Sequence, residues 1–147
     1  MIKFRAWDKE NKIMLAVNNI CNLFWDSKFI EGYELVPDPK GKREYDLIDH
    51  RIDFADAILM QSTGLVDVNA QEIFEDDIVK TTRFFCRADE SGGFYEYEKE
   101  LIGIVKQLEG AWVIDTEKGA IYLWSDIDEN EVLGNIWDNL ELLEDLE

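Results

Sequence analysis

Apolar and polar residues alternate with a period of two at the start of the chain. Ile2, Phe4 and Ala6 interleave with Lys3, Arg5 and Trp7, and Ile13, Leu15 and Val17 repeat the period after the polar run Asp8 to Lys12. Successive side chains of a strand point to opposite faces, so the pattern predicts a β-hairpin. From Asn18 to Val36 the apolar residues Ile20, Leu23, Phe24, Trp25, Phe29, Ile30 and Tyr33 keep no firm period, which predicts strands and turns without fixed limits. Pro37-Asp38-Pro39-Lys40-Gly41-Lys42 holds both prolines of the chain and predicts an exposed, flexible loop over residues 37–44.

A second patterned region begins near Ala57 with Ile58-Leu59-Met60-Gln61 and the turn-rich run Thr63 to Ala70. Ile73 to Lys80 reads as a turn entering a strand. Gly92-Gly93, among the charged and aromatic residues of Arg87 to Glu98, predicts a long loop or a distorted hairpin. Leu101–Leu108, Ala111–Asp115 and Ala120–Trp124 are strand-sized and separated by Glu109-Gly110 and Glu117-Lys118-Gly119. Short strands with tight turns at this spacing predict a small barrel or sandwich. Glu131 to Trp137 reads as a last strand. Asp138 or Asn139 is then placed to cap a short helix with Leu140, Leu142, Leu143 and Leu146 on its apolar side. The expected organisation is a β-rich region over residues 1–56 and a barrel domain over residues 57–147.

Composition narrows the chemistry more than the fold. Of the 147 residues, 46% are hydrophobic and 12% aromatic, enough for a sizeable core. The five tryptophans are expected mainly in that core, with one or two on the surface as partner anchors as the alternative. No apolar run has the length of a membrane span, and the patterned N-terminus is unlike a signal peptide, so a soluble, intracellular protein is expected. Cys21 and Cys86 lack metal-ligand spacing and read as reduced thiols in apolar surroundings.

Charge is uneven. The net charge is −18, of which residues 1–60 carry −2 and residues 61–147 carry −16. After Lys118 there is no further Lys or Arg. Such a surface repels phosphate backbones and anionic lipid, so neither direct nucleic-acid binding nor membrane binding is expected. The acids recur in nearly every turn of the second half, which predicts dispersed charge.

The common nucleotide-binding, nucleophile-elbow and zinc-protease motifs are absent, and His50 stands alone in sequence, as expected of a surface or strand position. Glu75-Asp76-Asp77 and Asp126 to Glu131 are dense in carboxylates, but the second lacks the central Gly and terminal Glu of a calcium loop, and both read as solvated turns. No catalytic, metal-binding or cofactor-binding residue is assigned.

Three segments carry a family resemblance. Lys3-Phe4-Arg5-Ala6-Trp7-Asp8, the stretch from Leu59 through Thr63-Gly64-Leu65 to Ile78-Val79, and Glu131 to Leu143 resemble the signatures of the YopX proteins of phages and prophages of Gram-positive bacteria. Within them Phe4, Trp7, Leu59, Gly64, Phe74, Asp77, Ile78, Val79, Gly134, Asn135 and Ile136 are the expected structural residues. Leu59, Leu65, Ile73, Phe74, Ile78 and Val79 should be buried, and Gly64 should hold a turn. Ala70, Asp76 and Leu140 stand where the family pattern has Gly, Gly and Pro. Ala resists a positive φ more than Asp does, so strain is expected first at residue 70. The resemblance implies a C-terminal SH3-like barrel behind a smaller β-rich part, and no established activity.

Two functions follow as expectations. The first is a non-enzymatic accessory protein that binds a host or phage protein. The second is an acidic DNA mimic that blocks a nucleic-acid-binding protein, since eighteen charges match roughly 30 Å of duplex. A homo-oligomer remains open.

Overall fold

The computed structural model describes residues 3–37, 45–123 and 129–144. The chain divides into two compact units, Met1–Ser62 and Thr63–Glu147. Residues 38–44 of the expected flexible loop and the expected core residue Trp124 lie outside the described residues.

The first unit contains β1 (Phe4–Asp8), β2 (Ile13–Cys21), β3 (Phe29–Pro37), β4 (Tyr45–Asp53), a 3-10 turn (Phe54–Asp56) and the first part of β5 (Ala57–Val66). Its antiparallel order is β4-β3-β2-β1-β5. The expected hairpin is present, with Ala6 opposite Leu15 and Trp7 opposite Met14. Because β5 pairs along the other edge of β1, with Trp7 opposite Ile58, β1 is a central strand. Ala6, Trp7 and Asp8 are all buried, on both faces. Phe4 is half-buried.

Asp8 closes the first turn. Burial would raise its pKa, but hydrogen bonds from the Asn11 side chain and the Asn11 and Glu10 backbone N–H groups, with the His50 charge, hold it below the usual carboxylate value.

The second unit takes over β5 at Thr63 and adds β6 (Glu72–Phe74), β7 (Asp77–Ala88), β8 (Phe94–Leu108), β9 (Ala111–Thr116), β10 (Gly119–Tyr122), β11 (Glu129–Asn135) and α1 (Glu141–Glu144). The expected boundary after residue 56 falls at the start of β5, whereas the division into units falls inside that strand. β6 pairs with β5, and the remaining strands form an antiparallel sheet in the order β10-β9-β8-β7-β11. Ile73, Val79, Val105, Ile114 and Leu123 form its buried core, with Leu65, Trp112, Ile121 and Val132 packed against them. Ile78 is also fully buried, while Leu59, Leu65 and Phe74, expected inside, are only half-buried.

The fold is mainly β, as expected, but the described strands do not close into a barrel. β10 and β11 are the edges of an open order. Gly64 is not in a connecting turn. It sits within β5 at φ 77°, an exposed left-handed point that glycine adopts at little cost.

Of the long loop or distorted hairpin expected over Arg87 to Glu98, the structure has a hairpin, and a regular one. β7 and β8 pair without a break from Ile78 opposite Ile104 to Ala88 opposite Phe94. The Asp89 carboxylate accepts from the backbone N–H groups of Ser91 and Gly93 and from the Ser91 hydroxyl, which confines the glycines to a five-residue connection. Among the described residues the C-terminal helix covers one turn, Glu141–Glu144. The Asn135 side chain, not Asp138 or Asn139, organises its approach by accepting from the N–H groups of Trp137 and Asp138 at 2.9 Å.

Candidate interaction surface

The central signature residues build turns rather than a polar cleft. Asp67 is buried, and its carboxylate accepts from the N–H groups of Asn69 at 2.8 Å, Gln71 at 2.9 Å and Val132 of β11 at 2.9 Å. Burial pushes its pKa up, and these three bonds more than reverse that, so it titrates below the usual range. Asp77, read from sequence as part of a solvated turn, is buried and accepts from the Phe74 N–H at 2.8 Å. An acidic run beside a strand therefore serves as backbone closure, because a carboxylate presents only acceptors to the donors that a turn exposes.

Ala70 and Asp76 keep the left-handed geometry despite lacking glycine, with φ of 64° and 69°. Backbone bonding explains why. The Ala70 N–H donates to the Asp67 carbonyl at 3.0 Å. Asp76 donates to the Val105 carbonyl at 2.9 Å and accepts from the Ile136 N–H at 3.1 Å. Moving either residue to negative φ would break these bonds, so the cost of the side chain is absorbed.

Gly134, Asn135 and Ile136 complete this knot. A Cβ on Gly134 would collide with the Asn139 side chain, whose oxygen accepts from the Asn135 N–H at 3.3 Å. Asp67, Asp77, Gly134 and Asn135 thus hold architecture.

Exposed chemistry lies on the β7–β8 ladder. Among the described residues, β11 pairs with β7 as far as Thr82, and β9 pairs with β8 from Ile104 onward. Between Arg83 and Lys99 the two strands have only each other among the described residues. Opposed residues of an antiparallel pair share a face, so the register sorts the charges. Arg83 faces Lys99 and Arg87 faces Tyr95, with Tyr97 between them. The opposite face pairs Thr82 with Glu100, Phe84 with Glu98 and Cys86 with Glu96. Glu129 and Glu131 of β11 extend that acidic face opposite Thr82 and Lys80. Lys80 meets Glu131 at 3.4 Å.

Four aromatic side chains are exposed on this ribbon: Phe84, Phe94, Tyr95 and Tyr97, with Phe94 77% accessible. The Tyr95 and Tyr97 rings lie 6.0 Å apart. The charge on this ribbon is sorted by face, because a period-two sequence on a strand keeps its two sets apart. Cys86 is exposed on the acidic face, contrary to the core position expected for it, and Cys21 is half-buried.

His50 lies on β4 with its Nε2 3.2 Å from Glu34 Oε2. Among the described residues no three His, Cys, Asp or Glu side chains gather as a metal site requires. No helix among them is long and apolar enough to cross a membrane.

Fold and surface together define a mainly β protein of antiparallel sheets with an exposed, charge-sorted two-stranded ribbon. Its family is shown by sequence: the pattern of the family described as YopX protein matches residues 3–144, and the chain belongs to that family. It is also similar to the crystal structure of protein EF1440 from Enterococcus faecalis, at 23% identity and a TM-score of 0.52 over 97% of this chain and 98% of that one. That likeness concerns the fold. No curated protein matches.

Proposed function

We propose that this phage-type protein is a non-enzymatic interaction module of the host cytoplasm that engages a host or phage protein through the β7–β8 ribbon. The observation that carries this reading is the ribbon itself. Its exposed aromatics Phe84, Phe94 and Tyr95 contribute nothing to the core cluster, and they lie where the two strands run beyond β9. Aromatic and Arg side chains are also the types that dominate protein-binding energy. An SH3-like relation of the second unit belongs to the same proposal, supported by five closely connected strands beside one apolar cluster.

Affinity capture from infected host cells with the wild-type chain and with a Phe94→Ser/Tyr95→Ser variant tests it. Both positions are exposed, so the variant should fold normally and lose the specific partner. Retention of the same partner by the variant overturns the reading.

A second reading, mimicry of DNA, is favoured by one observation. Glu96, Glu98, Glu100, Glu129 and Glu131 share one sheet face. If it holds, the captured partner is a DNA-binding protein, duplex DNA displaces it, and Glu96→Gln/Glu98→Gln/Glu100→Gln abolishes capture while Phe94→Ser does not.

A further inference from the structure

The most exposed large apolar side chains of the first unit lie in the turn between β2 and β3. Leu23 is 51%, Phe24 94% and Trp25 70% accessible. The turn is defined: the Trp25 N–H donates to the Asn22 carbonyl at 2.9 Å, and Asn22 takes the left-handed conformation at φ 55°. Three consecutive apolar side chains held outward form a patch, which is more informative than one exposed Leu or Phe.

Directly beside this knob is an open cavity of about 500 Å³ lined by Asp26, Ser27, Lys28, Asp53, Phe54 and Ala55. Its two walls are joined by the Phe54 N–H donating to the Lys28 carbonyl at 3.0 Å. The Lys28 ammonium lies 5.8 Å from the centre of the Phe54 ring. An aromatic ring and a cation beside it receive another ring well, and the carboxylates of Asp26 and Asp53 offer acceptors for an indole N–H, which can only donate.

We propose that this knob and cavity form a two-fold dimer contact between two copies of the chain, with Trp25 of each copy seated against Phe54 and Lys28 of the other. A two-fold interface requires one patch to carry both a feature and its complement, and adjacent residues 23–25 and 26–28 do so. Each copy brings Asp26, Asp53 and Lys28 to the contact, so Lys28 of one copy can face a carboxylate of the other and the local excess is one negative charge per copy. The area is adequate. With about 150–250 Å² for each large aromatic side chain, Phe24, Trp25 and a half-exposed Leu23 bury roughly 500 Å² per copy, or about 1,000 Å² in all, the lower bound for a specific contact.

Analytical ultracentrifugation of the full chain from about 1 µM to about 500 µM spans the range that a contact of this size populates. The expected result is a monomer–dimer equilibrium that stops at the dimer. Phe24→Ser/Trp25→Ser, on the knob side, and Lys28→Glu, on the cavity side, should each weaken it at least about tenfold with the melting temperature of the dilute protein unchanged. A chain that stays monomeric throughout overturns the proposal. So does a dimer that both variants preserve, assembly beyond the dimer, or co-sedimentation of a monomeric wild type with phosphatidylcholine vesicles that is lost in Phe24→Ser/Trp25→Ser, which would assign the knob to a lipid surface. The ribbon is untouched by these substitutions, so the outcome is separate from that of partner capture.

Discussion

The root and the tip of the β7–β8 hairpin share one continuous hydrogen-bonded ladder, yet they differ in nearly everything else. At the root, Ile78, Val79, Thr81 and Val105 are buried, and β9 and β11 flank the pair. At the tip, residues 86–100 are exposed and the two strands stand alone among the described residues. Backbone pairing is therefore not what separates a stable sheet from a free arm. An isolated two-stranded hairpin is marginal in water, and the tip draws its order from the anchored root and from the Asp89 turn. The root stores stability, and the tip leaves its side chains exposed to solvent.

The largest expected effect breaks this comparison at its centre. Ile78→Ala at the root should lower stability by about 2 to 5 kcal/mol, whereas Phe94→Ala at the tip should change it by less than about 0.5 kcal/mol. Denaturant unfolding measures both. Equal losses would show that the tip is folded into the cooperative core.

A second effect concerns how the root is held. Asp67 bonds the Val132 N–H of β11, which pairs with Val79 of β7. Asp67→Ala should cost about 3 kcal/mol at pH 7, since three backbone donors lose their partner. Because the folded-state pKa of Asp67 lies below the usual carboxylate value, the carboxylate contributes stability above the unfolded-state pKa and loses it as pH falls through the folded-state pKa. The gap between wild type and variant should therefore narrow below about pH 4. A gap independent of pH from 7 to 2.5 would show that the charge of Asp67 contributes nothing. Thermal melts across that range would settle the point.

The smallest effect is a gain. Ala70→Gly should stabilise the protein by about 1 kcal/mol, and Asp76→Gly by less, because Asp tolerates the left-handed region better than Ala. Asp76 leads into the root through its bonds to Val105 and Ile136, so its gain should appear in global unfolding and leave binding by the ribbon unchanged. Destabilisation by Ala70→Gly would mean that the Ala methyl group packs usefully in the native turn.

The β1–β2 hairpin, the three strands from Leu101 to Tyr122 and the last strand were legible in the chain because alternation and two-residue turns are local properties. Glu109-Gly110 is an example: both residues have positive φ, at 51° and 82°, as a tight hairpin turn demands. The period-two arrangement of Phe94 to Glu100 was equally present, but the glycines before it and the charges within it mimicked a loop. Only the pairing with Arg83 to Ala88 reveals the ribbon. Trp25, one of five tryptophans, had no mark in sequence to separate it from the buried Trp7.

Local patterning by itself determined the mainly β class, most strand positions and the charge imbalance between the halves, while the left-handed demand at residues 70 and 76 was implied by the family resemblance. Tertiary structure alone decided which carboxylates are solvated and which close backbone turns, where the ladder outruns its neighbours, and which aromatics face water. The reason is physical. Alternation and turn chemistry act between residues a few positions apart, whereas burial depends on strands such as β11 that reach Asp67 across 65 residues of sequence.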